Sequence, residues 1–98
     1  MILRDHINIL VPVQTKDNKG IVTTTYAVNR TIPADFQPLS YNIQRKPFGI
    51  TDKTSNLIFC KDFNITADMR IGFGDSKYII DSILKYKSHV EIYVEMVI

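Results

Sequence analysis

The sequence predicts an all-β domain: a small antiparallel β-barrel or sandwich of six to seven strands with one long irregular loop. Three observations predict it. Apolar residues recur at every second position through most of the chain. Gly, Pro and Asp cluster between those runs, as turn chemistry requires. No segment holds apolar residues at helical spacing for long enough to make an amphipathic helix. With 98 residues the chain has room for a single domain, 1–98, and no repeat or linker divides it.

The first run, residues 5–13, places Ile7, Ile9, Val11 and Val13 on one face and His6, Asn8 and Leu10 on the other. A polar loop follows over 14–20, and its last residue, Gly20, is suited to positive φ. Residues 21–29 alternate again. Their three consecutive threonines favour a strand, because β-branched side chains are stiff and sit well on a pleated surface. These two runs make a hairpin with an exposed tip. A third extended run, 31–39, contains Pro33 and Pro38, which cannot donate to a ladder. It therefore reads as an edge strand or one broken by a bulge.

From Ser40 to Ser55 neither period is sustained, and Pro47 would end a helical turn near Ser40. So long an irregular stretch in a small domain points to function or mobility. Strand character returns at 56–60, with a tight turn at Lys61-Asp62. Phe63 and Ile65 are inward candidates, and Met69, Ile71 and Phe73 form a short strand. Gly72, Gly74 and Asp75 mark a reversal. In residues 77–84, Tyr78, Ile80, Ser82 and Leu84 lie opposite Ile79, Asp81 and Ile83. After a turn at 85–88, the last run sets Val90, Ile92, Val94 and Met96 against Glu91, Tyr93 and Glu95.

Composition narrows the function classes. At 45% hydrophobic and 22% charged, the chain is that of a folded domain and excludes a disordered or coiled-coil protein. Its longest apolar run, 9–13, is far below the roughly 20 residues of a membrane-spanning helix. The first residues lack the pattern of a signal peptide. One cysteine, Cys60, has no internal disulfide partner, which suits a reducing compartment. Net charge is +2 with both signs dispersed, so no basic stripe favours strong sequence-independent DNA binding.

Residue chemistry gives no expectation of an enzyme. His6, Cys60 and His89 stand apart without zinc-site spacing, and read as two surface histidines and one core cysteine. Gly72-Phe73-Gly74-Asp75 lacks the third glycine, the Lys-Ser/Thr pair and the helix of a phosphate loop, so it reads as a turn between strands. Asp17, Asp62, Asp68 and Asp75 fall in turns, where the side chain caps the backbone. Asn29-Arg30-Thr31 and Asn64-Ile65-Thr66 fit the glycosylation pattern, which carries no weight without a secretory route. No catalytic residue, metal ligand or cofactor is expected.

Two surface features remain as interaction candidates. One is the hairpin tip, Lys16, Asp17, Asn18 and Lys19. The other is the irregular loop, where Arg45, Lys46 and Lys53 are basic and Phe48 and Ile50 keep it partly apolar. The loop fits contact with a neighbouring subunit or an acidic partner, including DNA phosphates.

The order of these features resembles the phage head-closure, or head-tail adaptor, proteins of the neck that joins capsid to tail, together with related components of defective prophages. An N-terminal strand pair and an irregular middle segment lead into Asn64-Ile65-Thr66-Ala67-Asp68-Met69-Arg70-Ile71. A turn at 72–76, Lys77-Tyr78-Ile79-Ile80, and His89-Val90-Glu91-Ile92-Tyr93-Val94 complete the pattern. The resemblance implies a structural virion protein, made in the bacterial host cytoplasm and located at the head-tail interface. It implies small barrels assembled in a ring of the portal's twelvefold symmetry, between portal or connector and tail proteins, without a membrane partner. A loop from each subunit would project into the channel and make weak contact with packaged double-stranded DNA. That role falls here on Arg45, Lys46, Phe48, Gly49 and Lys53, while Lys16 to Lys19 would dock an adjacent component. Rings also suit a small core, since neighbours cover strand edges. Two alternatives share the architecture: a phage tail terminator or tail-completion protein, and an oligonucleotide-binding-type barrel for single-stranded nucleic acid.

Overall fold

In the computed structural model, which describes residues 3–38 and 53–97, six strands close into an antiparallel barrel. They are β1 (Asp5–Lys16), β2 (Val22–Pro38), β3 (Asn56–Cys60), β4 (Arg70–Phe73), β5 (Ser76–Lys85) and β6 (Val90–Met96). Around the barrel the order is β1-β2-β3-β6-β5-β4, and β4 returns to β1 through Asn8↔Gly72, Ile9↔Ile71 and Leu10↔Arg70. No helix occurs among the described residues. The irregular middle segment, apart from its last residues 53–55, lies outside them.

The inward face is built mainly from β-branched residues, which fit a pleated, half-buried surface. Ile7, Ile9, Ile58, Ile71, Val90, Ile92 and Val94 are fully buried, and Cys60 packs among them as a small core residue. Each buried aliphatic side chain contributes about 2 kcal/mol relative to exposure. Phe36 stacks on Phe73 with ring centroids 4.3 Å apart and meets Tyr78 edge-on at 5.1 Å. Burial pushes the Cys60 thiol up from its ordinary value and keeps it protonated.

Turn chemistry follows the sequence closely. Asp17, Asn18, Lys19 and Gly20 make the tip of the first hairpin, with Gly20 at φ 82°. The Gly20 N–H donates to the Asp17 carbonyl at 3.1 Å, and the Asp17 N–H to the Ile21 carbonyl at 3.0 Å. This is a three-residue loop ending in a left-handed glycine. Gly74, at φ 59°, occupies the first position of the two-residue loop between Phe73 and Ser76, and so joins β4 to β5.

Residues 61–69 cross from β3 to β4 and bury Ile65 completely. Phe63, an inward candidate from the sequence, is instead 41% exposed. Its segment has left the sheet, so alternation no longer controls which way it points.

Two bulges also redirect the alternation. On β2, Ile9 pairs with Arg30 and Leu10 with Val28, which leaves Asn29 as the extra residue. The two runs expected at 21–29 and 31–39 are therefore one strand with a bulge. Pro33 lies before the residues that pair with β3, and Pro38 ends the strand. On β5, Ile80 pairs with Val94 but Ser82 with Tyr93, so Asp81 is extra. Beyond it the faces exchange: Ile83, which strict alternation sets opposite Tyr78 and Ile80, packs on the same core as they do. Met96, which alternation sets on the face of Val90, Ile92 and Val94, is 48% exposed at the end of β6.

Candidate functional site

Beyond the barrel, β1 and β2 continue as a two-stranded arm. Residues 11–16 and 22–28 pair with each other, while β4 reaches β1 only as far as Leu10 and β3 pairs β2 only from Ala34 onward. At about 3.4 Å per residue the arm extends roughly 20 Å. The molecule accordingly measures 50 × 26 × 26 Å.

Among the described residues no second layer packs on the arm, and most of its aliphatic side chains face solvent. Val22 and Val28 are 57% and 60% exposed, Ile21 is equally open, and Val13 is less so at 40%. Val13 and Val11 carry the same alternating pattern as the buried Ile7 and Ile9, but they lie past the point where the barrel ends.

Local contacts hold the arm in shape. Asp17 Oδ1 accepts from the Lys19 N–H at 2.8 Å and the Ile21 N–H at 2.9 Å, closing the tip. Thr15 Oγ1 donates to the Thr23 carbonyl at 3.3 Å and Thr25 Oγ1 to the Val13 carbonyl at 3.4 Å. At the root, the Arg70 guanidinium lies 4.5 Å from the centre of the Tyr26 ring.

The expected docking residues, Lys16, Asp17, Asn18 and Lys19, therefore occupy the far end of the arm, all exposed. Asp17 is committed to the turn, which leaves Lys16 and Lys19 as the outward charges. Of the channel-loop candidates, Arg45, Lys46, Phe48 and Gly49 lie outside the described residues. Lys53 is exposed and lies near Glu95. Desolvation and the neighbouring Asp81 raise the Glu95 carboxyl above its ordinary value, and Lys53 opposes that shift. Asp81 also accepts a hydrogen bond from the Thr54 hydroxyl at 2.6 Å.

An open groove of about 590 Å³ lies between β2 and the 61–64 turn, and sequence reasoning missed it. Leu3, Ile32, Pro33 and Phe63 supply apolar walls, and Lys61 and Asn64 line it as well. Beside them Arg30 Nε donates to Asp62 Oδ2 at 2.5 Å and Nη1 to Asn29 Oδ1 at 2.6 Å. The Arg30 hydrogen bond holds the Asp62 carboxyl below its ordinary value, opposed by partial burial. Asp62 Oδ1 also accepts from the Asn64 N–H at 2.9 Å, the turn-capping role expected of it. No spacing signal links Arg30 to Asp62, because it is the register of β2 on β3, with Ala34 opposite Cys60, that brings β2 beside the 61–64 turn.

The ligand candidates are distributed over separate elements. His6 is exposed on β1, Cys60 is buried on β3, and His89 sits in the turn before β6, stacked on Tyr86 at 4.8 Å. Among the described residues no three metal-ligating side chains gather. No helix among them is long and apolar enough to cross a membrane.

No family model and no curated protein matches the chain. Among solved structures it is similar to the solution structure of protein SF1141 from Shigella flexneri 2a. The match has a TM-score of 0.75 and 22% sequence identity, and covers 96% of this chain and 92% of that one. At that identity the likeness is one of fold.

Proposed function

We propose that this protein is an assembly subunit of a phage neck, a head-closure or head-tail connector protein that forms a ring between portal or connector and tail. The observation that carries the reading is the projecting arm. Within the barrel most strands pair on both sides, whereas exposed aliphatic residues and open ladder run along one 20-Å ribbon (about six residues a strand), which marks a surface made for contact with another chain. Lys16 and Lys19 at its tip add a polar contact suited to an acidic patch on the component that it docks.

The resemblance of residues 56–97 to head-tail adaptors supplies the setting, and the fold is compatible with it. In that setting the ring encloses a channel, and the segment holding Arg45, Lys46, Phe48, Gly49 and Lys53 touches the packaged DNA. Three positive charges tempered by Asp52 give weak contact, which lets the genome slide past when it is ejected.

Electron microscopy of the protein mixed with its portal, connector and tail neighbours tests the reading. A ring with a constricted centre, seated on the connector, is the expected result. Exclusive binding to tail tube would replace it with a tail-terminator role. Tight single-strand binding by the monomer, lost on substituting Arg45, Lys46 and Lys53, would replace it with an oligonucleotide-binding one. A monomer with no partner under all conditions would overturn it.

A further inference from the structure

We propose that the outer edge of β2 is a self-recognition site, at which two copies of this chain pair their arms antiparallel about a twofold axis at Thr25. The inference stands on the arm alone and does not depend on the neck reading.

The hydrogen-bond phase of the arm shows which backbone groups are open. The Asp17–Ile21 bond sets the alternation, so Thr15–Thr23, Val13–Thr25 and Val11–Ala27 are the hydrogen-bonded pairs. Lys16–Val22, Gln14–Thr24, Pro12–Tyr26 and Leu10–Val28 are the others. Pro12, which has no N–H, falls among the pairs that need none from it. The N–H and C=O groups of Val22, Thr24, Tyr26 and Val28 therefore point away from β1. Among the described residues, no backbone partner meets them.

The two edges of the arm differ. On β1 the outward residues are Pro12, Gln14 and Lys16, so the ladder lacks a donor and carries a charge, both of which discourage strand addition. On β2 the outward run from Val22 to Val28 contains no proline and no charge. It is the unguarded edge.

That edge is also self-complementary. In an antiparallel pair centred on Thr25, Val22 faces Val28 of the second copy and Thr24 faces Tyr26, each through the groups left open by β1. All four outward residues are then used, giving about eight backbone hydrogen bonds. The two highly exposed valines meet as β-branched cross-strand pairs, which strengthens the match. A shift by one step in either direction leaves one valine and its backbone unpaired. The site is a strip of one strand, below the area of a permanent dimer, so the association is weak and reversible.

Cysteine crosslinking tests the register. At the twofold axis the Thr25 Cα atoms approach to about 4.5 Å, within the span of a disulfide. Under mild oxidant, Thr25→Cys should give covalent dimer on a non-reducing gel, and Thr23→Cys or Ala27→Cys alone should not. A mixture of the last two should crosslink, since those positions face one another. Cys60 is fully buried and does not interfere. Sedimentation equilibrium gives a second readout. Thr24→Pro removes an outward donor that β1 does not use, and should weaken dimerisation about tenfold with the thermal melt unchanged. Equal crosslinking at positions 23, 25 and 27 would overturn the proposal, as would a monomer mass for the unaltered protein at millimolar concentration.

Discussion

The inner and outer halves of β1 and β2 are the same two strands in two environments. Inside the barrel, Ile7 and Ile9 are fully buried; a few residues on, Val13 repeats their pattern and is 40% exposed. The difference teaches that alternation specifies an extended chain, while burial requires a second layer opposite it. β3, β5 and β6 supply that layer around the barrel, and among the described residues nothing supplies it along the arm. Stability should accordingly reside in one region and recognition in the other.

The largest expected effect is in the barrel. Ile58→Ala, at a fully buried site, should cost about 3 kcal/mol in urea denaturation. Val22→Ala on the arm should change stability by no more than about 0.5 kcal/mol. Equal losses at the two sites would erase the contrast.

Next comes the junction, where the Arg30–Asp62 pair ties β2 to the crossing segment. Asp62→Asn should cost about 2 kcal/mol at neutral pH, the order of a charged hydrogen bond in a partly buried site. The folded-state value of Asp62 is depressed, so its contribution is complete above the ordinary 3.8 and disappears as pH falls through the lower folded value. The gap between the two proteins should therefore close in acid. A gap independent of pH would mean that packing, and not charge, holds this junction.

A smaller effect belongs to the arm tip. Gly20→Ala places a Cβ at φ 82° and should cost about 1 kcal/mol. Amide exchange should accelerate at 15–23 and stay unchanged in β3 and β6, which sharpens the separation of arm from barrel. Faster exchange throughout would join them into one cooperative unit. Smallest is Glu95→Gln. Because the Glu95 carboxyl is raised by desolvation and by Asp81, its ionised form is disfavoured in the fold. The neutral substitute should raise the melting temperature slightly at pH 7 and lose that advantage in acid.

Much of the barrel is legible in the chain. Residues 56–60 are β3 as expected, Gly20 and Gly74 take positive φ in their turns, and Cys60 is a core residue. The exposed hairpin tip is also where the alternation and the polar loop predict it. The bulges at Asn29 and Asp81 are less legible: an extra residue shifts the phase of the alternation, and where both faces carry apolar residues, as at Ile79, Ile80 and Ile83, the shift is masked. The move of Ile83 to the face of Tyr78 and Ile80 follows from the second of them. Of the candidate sites, the tip residues could be found from polarity alone. The groove and the Arg30–Asp62 pair could not, because they join positions far apart in the chain.

What the sequence by itself determined was strand, turn and the all-β class, because these depend on local geometry and on the alternation of side chains. Only the tertiary structure decided where the barrel stops and the arm begins. That boundary is set by how far β4 and β3 reach along β1 and β2, and the length of a neighbouring strand leaves no trace in the residues it fails to cover.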